Sequence, residues 1–383
     1  MFFTYNLFAQ GSWSSTTPLP FARTEFAAST YNNKVYIFGG TDTSMNALSS
    51  VHSYDPSNAS WSFISNMPTP REELAVVNLF NIFYVIGGGF DPIPLSKMEA
   101  FHPVNLNWFP MPNLPNGRRE HMAEIVDGKI FVFGGIGTVN AGIKNEAYDI
   151  STNGWTTKSN LPSERKYAAI GTINNKIYIA GGDGPGGPTN EVLEYDFSSD
   201  SYSIKTPMPA SIRRAGFCVM QNKLFVIGGN DGNQTLSSVH VYDPSTNSWS
   251  NSPALPNPRE NLSAVTLNNK IYAMGGYDAN DVMLDWVEVF DPLTSSVEIK
   301  QSSFNTWYND GSLFYSSNYS HALDQIQLFD IMGKLKYTYL ISEYTFGHQQ
   351  SFTIPSVPSG IYTCVFKYNN QTLGINKLII INP

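Results

Sequence analysis

The stretch "NNKIYIAGGDGPGGPTNEVLEYD", residues 174–196, decides the fold, because it supports two incompatible readings. Gly182, Gly184 and Gly187 stand in a G-x-G-x-x-G register after a β-branched and aromatic run, as in a dinucleotide-binding turn. Such a turn works only when a helix follows, since the pyrophosphate rests on free N–H groups at the helix N-terminus. Pro185 and Pro188 interrupt the segment, and the next apolar stretch, "EVLEYD", is short and strand-like. The same run and glycine pair also recur as "NNKVYIFGG" at 32–40, "NIFYVIGGG" at 81–89, "DGKIFVFGG" at 127–135, "QNKLFVIGG" at 221–229 and "NNKIYAMGG" at 268–276. A turn used this often is punctuation, not a cofactor cradle.

Counting from an aromatic anchor makes the repeat explicit. Trp13, Trp61, Trp108, Trp155, Tyr202 and Trp249 are spaced by 48, 47, 47, 47 and 47 residues. Ten residues after each anchor come Arg23, Arg71, Arg118, Arg165, Ile212 and Arg259, with Arg213 displaced by one in the exceptional copy. Twenty-six residues after each come Gly39, Gly87, Gly134, Gly181, Gly228 and Gly275, the first glycine of each pair. An aromatic–polar pair then follows: Tyr54-Asp55, Phe101-His102, Tyr148-Asp149, Tyr195-Asp196, Tyr242-Asp243 and Phe290-Asp291.

A period of this length, with short strands between turn signals, predicts propeller blades of four antiparallel strands. The strand before each glycine pair is apolar at nearly every position, as required when both faces pack against neighbouring blades. Arg, Gly-Gly, Tyr-Asp and Trp in this order resemble the kelch repeat, and the six copies over residues 13–291 resemble a six-bladed kelch propeller. Tyr202, Ile212 and His102 depart from the pattern, and Val297 stands where a seventh anchor would fall. The resemblance implies a fold but no single chemistry, because functions are grafted onto folds. Trp13 has the spacing of an outermost strand, so the N-terminal strand is expected to close the sixth blade, in competition with "SSVEIKQ" at 295–301.

Composition agrees with an all-β chain. Of 383 residues, 14% are charged and 14% aromatic, against roughly 25% charged in ordinary domains. The net charge of -8 argues against a phosphate-tracking nucleic-acid surface. No apolar run approaches the roughly 20 residues of a membrane helix, so no membrane span is expected. Cys218 and Cys364 fall in strands of different domains, which predicts two buried thiols rather than a disulfide, and neither has zinc-site spacing. No metal or other cofactor is expected.

The repeat stops near residue 300, giving expected domains at 11–300 and 301–383. "QIQLFDIMGKLKYTYLIS" predicts a strand, a turn at Met332-Gly333-Lys334 and a strand, and the last residues add a hairpin around Asn369-Asn370, together a small β-sandwich. Leu328, Asp330, Gly333 and Lys334, then Ser359, Gly360 and Tyr362, and finally Lys377 to Ile381 resemble the C-terminal sorting domain of the bacterial type IX secretion system, although its usual Pro-Asn-Pro opening is missing. The plain alternative is a generic sandwich. The resemblance implies type IX secretion machinery as a partner and a secreted or cell-surface product. "MFFTYNLFAQ", residues 1–10, is expected to be the remnant of a signal peptide cleaved after Gln10.

Links between the first and second and between the third and fourth strands of a blade share one face, and these are tight and uniform. The links on the other face differ from blade to blade: "TDTSMNALSS", "GFDPIPLSKM", "IGTVNAGIKN", "DGPGGPTN", "NDGNQTLSSV" and "YDANDVMLDW". Variable loops on a rigid scaffold mark the candidate binding face. Twelve residues after each anchor, on that face, stand Glu25, Glu73, Glu120, Tyr167, Arg214 and Asn261, unlike one another although their neighbours repeat. With Arg119, His121, Lys166 and Arg213 beside them, they are expected to place carboxylates on one half of a channel mouth and cations on the other, either as a polar ligand site or as ion pairs between blades.

No Ser-His-Asp or Cys-His order suggests itself, and a copper radical oxidase of the galactose oxidase type requires clustered histidines and a Cys-Tyr crosslink that one propeller cysteine and scattered histidines do not suit. The chain also resembles the six-bladed kelch epimerases and mutarotases that act on sialic acid, in which Arg clamps a carboxylate and Glu or His moves a proton; no specific catalytic motif aligns. The expectation is therefore an exported recognition propeller for a glycan or protein ligand, with sugar epimerase or mutarotase as the alternative.

Overall fold

The computed structural model describes residues 11–292 apart from 91, 138 and 139, together with C-terminal strands between 304 and 380. Residues 1–10, and with them the expected signal remnant, lie outside the described residues. Gly11–Pro292 is one compact unit. It consists of six four-stranded antiparallel sheets, each ordered from the channel outwards. Blade I comprises Ala27–Tyr31, Lys34–Phe38, Ser50–Asp55 and Ser60–Asn66. The innermost strands of blades II to VI are Ala75–Leu79, Met122–Val126, Ala169–Ile173, Gly216–Met220 and Ser263–Leu267.

The burial pattern follows from the radial packing. In every blade the second strand is buried at all positions after its opening residue, as in Lys34–Phe38 and Lys176–Ala180. The turns leading into these strands use pairs at positive φ, such as Asn32 (47°) with Asn33 (57°), and Asn174 (50°) with Asn175 (60°). That conformation fits the strand twist in two-residue hairpins.

The N-terminal strand closes the ring as expected. Ser12–Ser15 pairs with the third strand of blade VI, Trp13 opposite Phe290. Trp13 Nε1 then donates to Pro253 O of the preceding blade at 2.8 Å. Three other anchors repeat this step, Trp61 to Thr17 O at 3.2 Å, Trp155 to Pro112 O at 3.0 Å and Trp249 to Thr206 O at 3.0 Å, while Trp108 donates to the Ser65 hydroxyl at 3.1 Å. Tyr202 satisfies the same role with its hydroxyl, 3.0 Å from Ser159 O, so its departure from tryptophan costs no bond. The competing segment 295–301 lies outside the described residues.

The glycine pairs are seams. Gly40 donates to Arg71 O in the next blade at 3.0 Å, and Gly276 donates to Arg23 O at 3.0 Å, where the last blade meets the first. Gly39 has φ +58° and Gly40 φ +91°, and a Cβ on Gly39 would lie 2.4 Å from Arg71 O. Both the backbone angle and the close approach demand glycine. The seam arginines are buried, and the guanidinium groups of Arg23, Arg71, Arg118 and Arg165 return to the first glycine's carbonyl, as Arg71 Nη1 does to Gly87 O at 3.0 Å, while Arg259 reaches Trp286 O. Four are balanced by acids, Arg71 by Glu99, Arg118 by Glu146 and Arg259 by Glu288 in the third strand and Arg165 by Glu191 just before it, whereas Arg23 faces His52 Nδ1 at 3.5 Å. Where Ile212 replaces the arginine, the corresponding residue is His240, whose burial lowers its pKa and favours the neutral ring.

The C-terminal region contains two antiparallel sheets. One joins Phe304–Asn309, Ser312–Ser317 and Gln350–Thr353; the other joins Leu335–Leu340, Gln325–Phe329, Gly360–Tyr368 and Gln371–Ile380 in that order. The two expected hairpins are therefore present, with their turns outside the described residues. Cys218 and Cys364 are buried and unpaired, and burial pushes both thiols up to about 12.

Candidate functional site

Glu25, Glu73, Glu120, Tyr167, Arg214 and Asn261 converge on a central cavity of about 870 Å³. All are left-handed, with φ of 56°, 51°, 58°, 52°, 56° and 53°. The geometry has a local cause. The residue before each is held against the variable loop by a β-bridge, as in Thr24 with Thr41, Lys166 with Asp183 and Glu260 with Tyr277. The chain must then turn into the innermost strand within a single residue.

That turn presents the N–H to the equivalent residue of the preceding blade. Glu73 donates to Glu25 O at 2.9 Å, Glu120 to Glu73 O at 3.2 Å, Tyr167 to Glu120 O at 3.1 Å, Arg214 to Tyr167 O at 3.1 Å and Asn261 to Arg214 O at 2.8 Å. At the remaining junction Thr24 Oγ1 donates to Asn261 O at 3.2 Å. Backbone atoms thus build the collar, which leaves its side chains free to differ. Non-glycine residues at positive φ carry strain that surrounding contacts must hold in place, and they concentrate at functional sites.

The side chains form a linked network. Arg119 bonds Glu73 and lies 3.3 Å from Glu120, and Lys166 is 3.2 Å from Glu120. Tyr167 donates its hydroxyl to Glu73 Oε1 at 2.5 Å, and the Arg214 guanidinium lies 4.8 Å from the Tyr167 ring centroid. Arg213 instead reaches Asp183 at 3.0 Å, and the acid nearest Arg214 is Glu260, 3.9 Å away. Glu25 accepts from Asn261 Nδ2 at 3.1 Å and faces Thr41 Oγ1 at 3.3 Å.

The expected division of the mouth needs correction. Glu25, Glu73 and Glu120 do occupy successive blades with Arg214 across the ring, but Arg119 and Lys166 lean onto the carboxylates and neutralise part of that side. His121 is buried, with its ring packed against Gly87 below the collar. Burial, reinforced by Arg118, lowers its pKa to about 3, so it lines the cavity uncharged. Burial and the Glu73 and Glu72 charges raise Glu25 to about 7. Burial and Glu120 raise Glu73, against the lowering effect of its Tyr167 and Arg119 bonds. Burial and Glu73 also raise Tyr167, which keeps its hydroxyl protonated as the donor.

Sequence reasoning missed Thr41, Glu72, Asp183 and Glu260 at the rim, and Glu124 deeper in the cavity. The signal was present: the eleventh residues after the anchors, Thr24, Glu72, Arg119, Lys166, Arg213 and Glu260, vary as much as the twelfth. Glu124 accepts from Thr172 Oγ1 at 3.0 Å and from the Ile125 N–H at 3.1 Å, and burial raises its pKa. Among the described residues no cluster of three or more His, Cys, Asp and Glu side chains is arranged to hold a metal ion. Nor, among the described residues, is any helix long and apolar enough to cross a membrane.

Comparisons with known proteins agree with this architecture. The family model described as "KLHDC2/KLHL20/DRC7 Kelch-repeats domain" matches residues 2–135 and 111–276, and that of the Kelch motif matches 258–302. Beta-scruin of Limulus polyphemus is 30% identical over 76 residues, 20% of this chain and 8% of the relative. An F-box/kelch-repeat protein of Arabidopsis thaliana is 36% identical over 77 residues, 20% of each chain. The matches thus span a fifth or less of these relatives. The solved structure of YjhT superposes with a TM-score of 0.62 at 17% identity, covering 71% of this chain and 95% of that one, which shows a shared fold. Six blades, their seams and the matched family models lead to one conclusion: the chain belongs to the kelch-repeat family.

Proposed function

We propose that this chain is a recognition propeller that binds a polar ligand, glycan or protein, at the channel mouth. The observation that carries the reading is the convergence of Glu25, Glu73, Glu120, Tyr167, Arg214 and Asn261 on one cavity, with a collar built by backbone bonds that do not depend on those side chains. Concave sites with a few convergent polar groups are the usual places for ligands. Glycan and peptide arrays probed with the full chain, and with the Glu73→Gln and Arg214→Ala variants, test it. Retention of ligands by the wild type and their loss from variants that melt normally supports the reading; retention by both variants overturns it.

A sugar epimerase or mutarotase is the second reading, favoured by the position of Glu25, raised to about 7 and so suited to moving a proton near neutrality. Following N-acetylneuraminate anomers and epimers by NMR separates the two. Turnover that disappears in Glu25→Gln replaces the binding reading with catalysis.

Export completes the proposal. The motif residues named above support a sorting role for the C-terminal region, with type IX secretion machinery as its partner and a secreted or cell-surface location. In a host with that system, removal of residues 304–383 is expected to retain the propeller inside the envelope; undiminished export overturns this part.

A further inference from the structure

We infer that the channel selects a ligand bearing an organic cation, an ammonium or guanidinium group, and seats that group at Glu25; this rests on the mouth being the binding site. Cavity composition is the first support. Its lining carries the carboxylates Glu25, Glu73, Glu120 and Glu124, whereas Arg214 is its only Lys or Arg. The rim cations do not reverse the balance, because each is engaged: Arg119 with Glu73, Lys166 with Glu120 and Arg213 with Asp183.

Glu25 differs from its neighbours. It makes no ion pair among the described residues, and its donors are the Asn261 amide and the Thr41 hydroxyl. Thr41 Oγ1 also lies against Glu72 Oε2, and a hydroxyl has one proton to give, so it cannot serve both carboxylates at once. A separate observation comes from Glu260 on the adjoining blade. It is only 8% exposed, its Oε1 accepts from Asn230 Nδ2 at 3.4 Å, and its Oε2 has the Arg214 guanidinium 3.9 Å away. Such long contacts leave part of a buried carboxylate's hydrogen-bonding capacity unused. Unpaired arginine Nε atoms do not argue for an anion instead. Arg213 and Arg214 have them, but so do the seam residues Arg23, Arg118, Arg165 and Arg259.

Deeper in the cavity Glu124 accepts from the Ile125 N–H and shares the single proton of the Thr172 hydroxyl with Ile125 O, and it makes no ion pair among the described residues. A slender chain with a terminal cation therefore meets carboxylates at the mouth and again further in. Lysine and arginine side chains and free alkylamines share this chemistry.

The test is calorimetric titration of the full chain with the peptide Ac-Gly-Lys-Gly-NH2, its arginine, norleucine and glutamate counterparts, and 1,5-diaminopentane. The cationic probes are expected to bind about ten-fold or more tightly than norleucine, the size of one charge-assisted bond. Preference for the peptides identifies a protein-borne cation, and preference for the diamine a free one. Glu25→Gln should lose that advantage with no fall in melting temperature, and Glu25→Asn, whose side chain is neutral and suits the left-handed backbone there, serves as the second variant if Glu25→Gln does not fold. Equal binding of norleucine, stronger binding of the glutamate peptide or no binding of any cationic probe overturns the inference. If the arrays meanwhile show mouth-dependent capture of a neutral or anionic ligand, the binding reading survives without it.

Discussion

Arg118 and Arg214 belong to the same propeller, yet the ring uses them differently. Arg118 is fully buried at a seam, bonded to Gly134 O and Lys144 O and paired with Glu146. Arg214 sits at the mouth with 31% of its side chain exposed and its nearest acid 3.9 Å away. An equivalent of the first recurs in every blade but one, because each seam must fill the same space and satisfy the same carbonyls. The second is unique, because backbone bonds on both sides already fix its place in the collar. Repetition therefore marks what ring closure requires, and variation marks positions that closure leaves available for recognition.

Arg118→Ala is expected to produce the largest loss, roughly 3–5 kcal/mol, since it leaves Glu146 buried without its partner. Denaturant unfolding of the full chain measures it, and a loss under about 1 kcal/mol, typical of a surface pair, would erase the contrast between the two regions. The double variant Arg118→Met/Glu146→Leu should regain most of the loss, since matched apolar replacement of a buried pair is often neutral. The Ile212–His240 seam already shows a solution without an ion pair within the same ring.

Gly134→Ala follows. Gly134 has φ +59°, and a Cβ there would lie 2.0 Å from Arg165 O. The backbone conformation alone costs about 1–3 kcal/mol, before any displacement of that carbonyl. A thermal melt unchanged from wild type would show that the seam tolerates a side chain.

The mouth gives smaller effects. Glu25 has a folded pKa of about 7 against an ordinary 4.5, so the folded protein holds this proton more tightly than the unfolded chain. Its contribution to stability therefore rises as pH falls from above 7 towards 4.5, and the ionised form is the destabilising one. Glu72 and Glu73 oppose its ionisation, while Arg214 and the Thr41 bond favour it. Glu25→Gln should flatten the dependence of melting temperature on pH across this window; an unchanged slope would mean that Glu25 titrates normally. Arg214→Ala should change stability least, by about 0–1 kcal/mol, as for an exposed ion pair. A melting loss as large as that of Arg118→Ala would turn the mouth into scaffold.

Much of the fold was legible because its determinants are local and repeated. A glycine pair after an apolar run, an arginine ten residues past an aromatic anchor and a Tyr-Asp pair are visible one blade at a time. Even the departures explain themselves once paired: Tyr202 keeps the anchor's bond, and His102 uses Nδ1 to accept from the Val104 N–H at 3.3 Å where other blades use aspartate. Burial of His121 was harder to foresee, because it follows from contact with Gly87 in another blade. Pairing of Arg119 with Glu73 was hidden for the same reason: they lie 46 residues apart and meet only when blades pack.

The amino-acid sequence by itself determined the blade number, the placement of the seams and the use of the N-terminal strand to close the ring, since each rests on spacing within a repeat. Only the tertiary structure decided the charge state and partners of the mouth. Those depend on which unlike side chains the ring brings together, and on how far burial separates them from water. Thr41, Glu72 and Glu25 come from two different blades, and the competition for a single hydroxyl proton arises only where those blades meet.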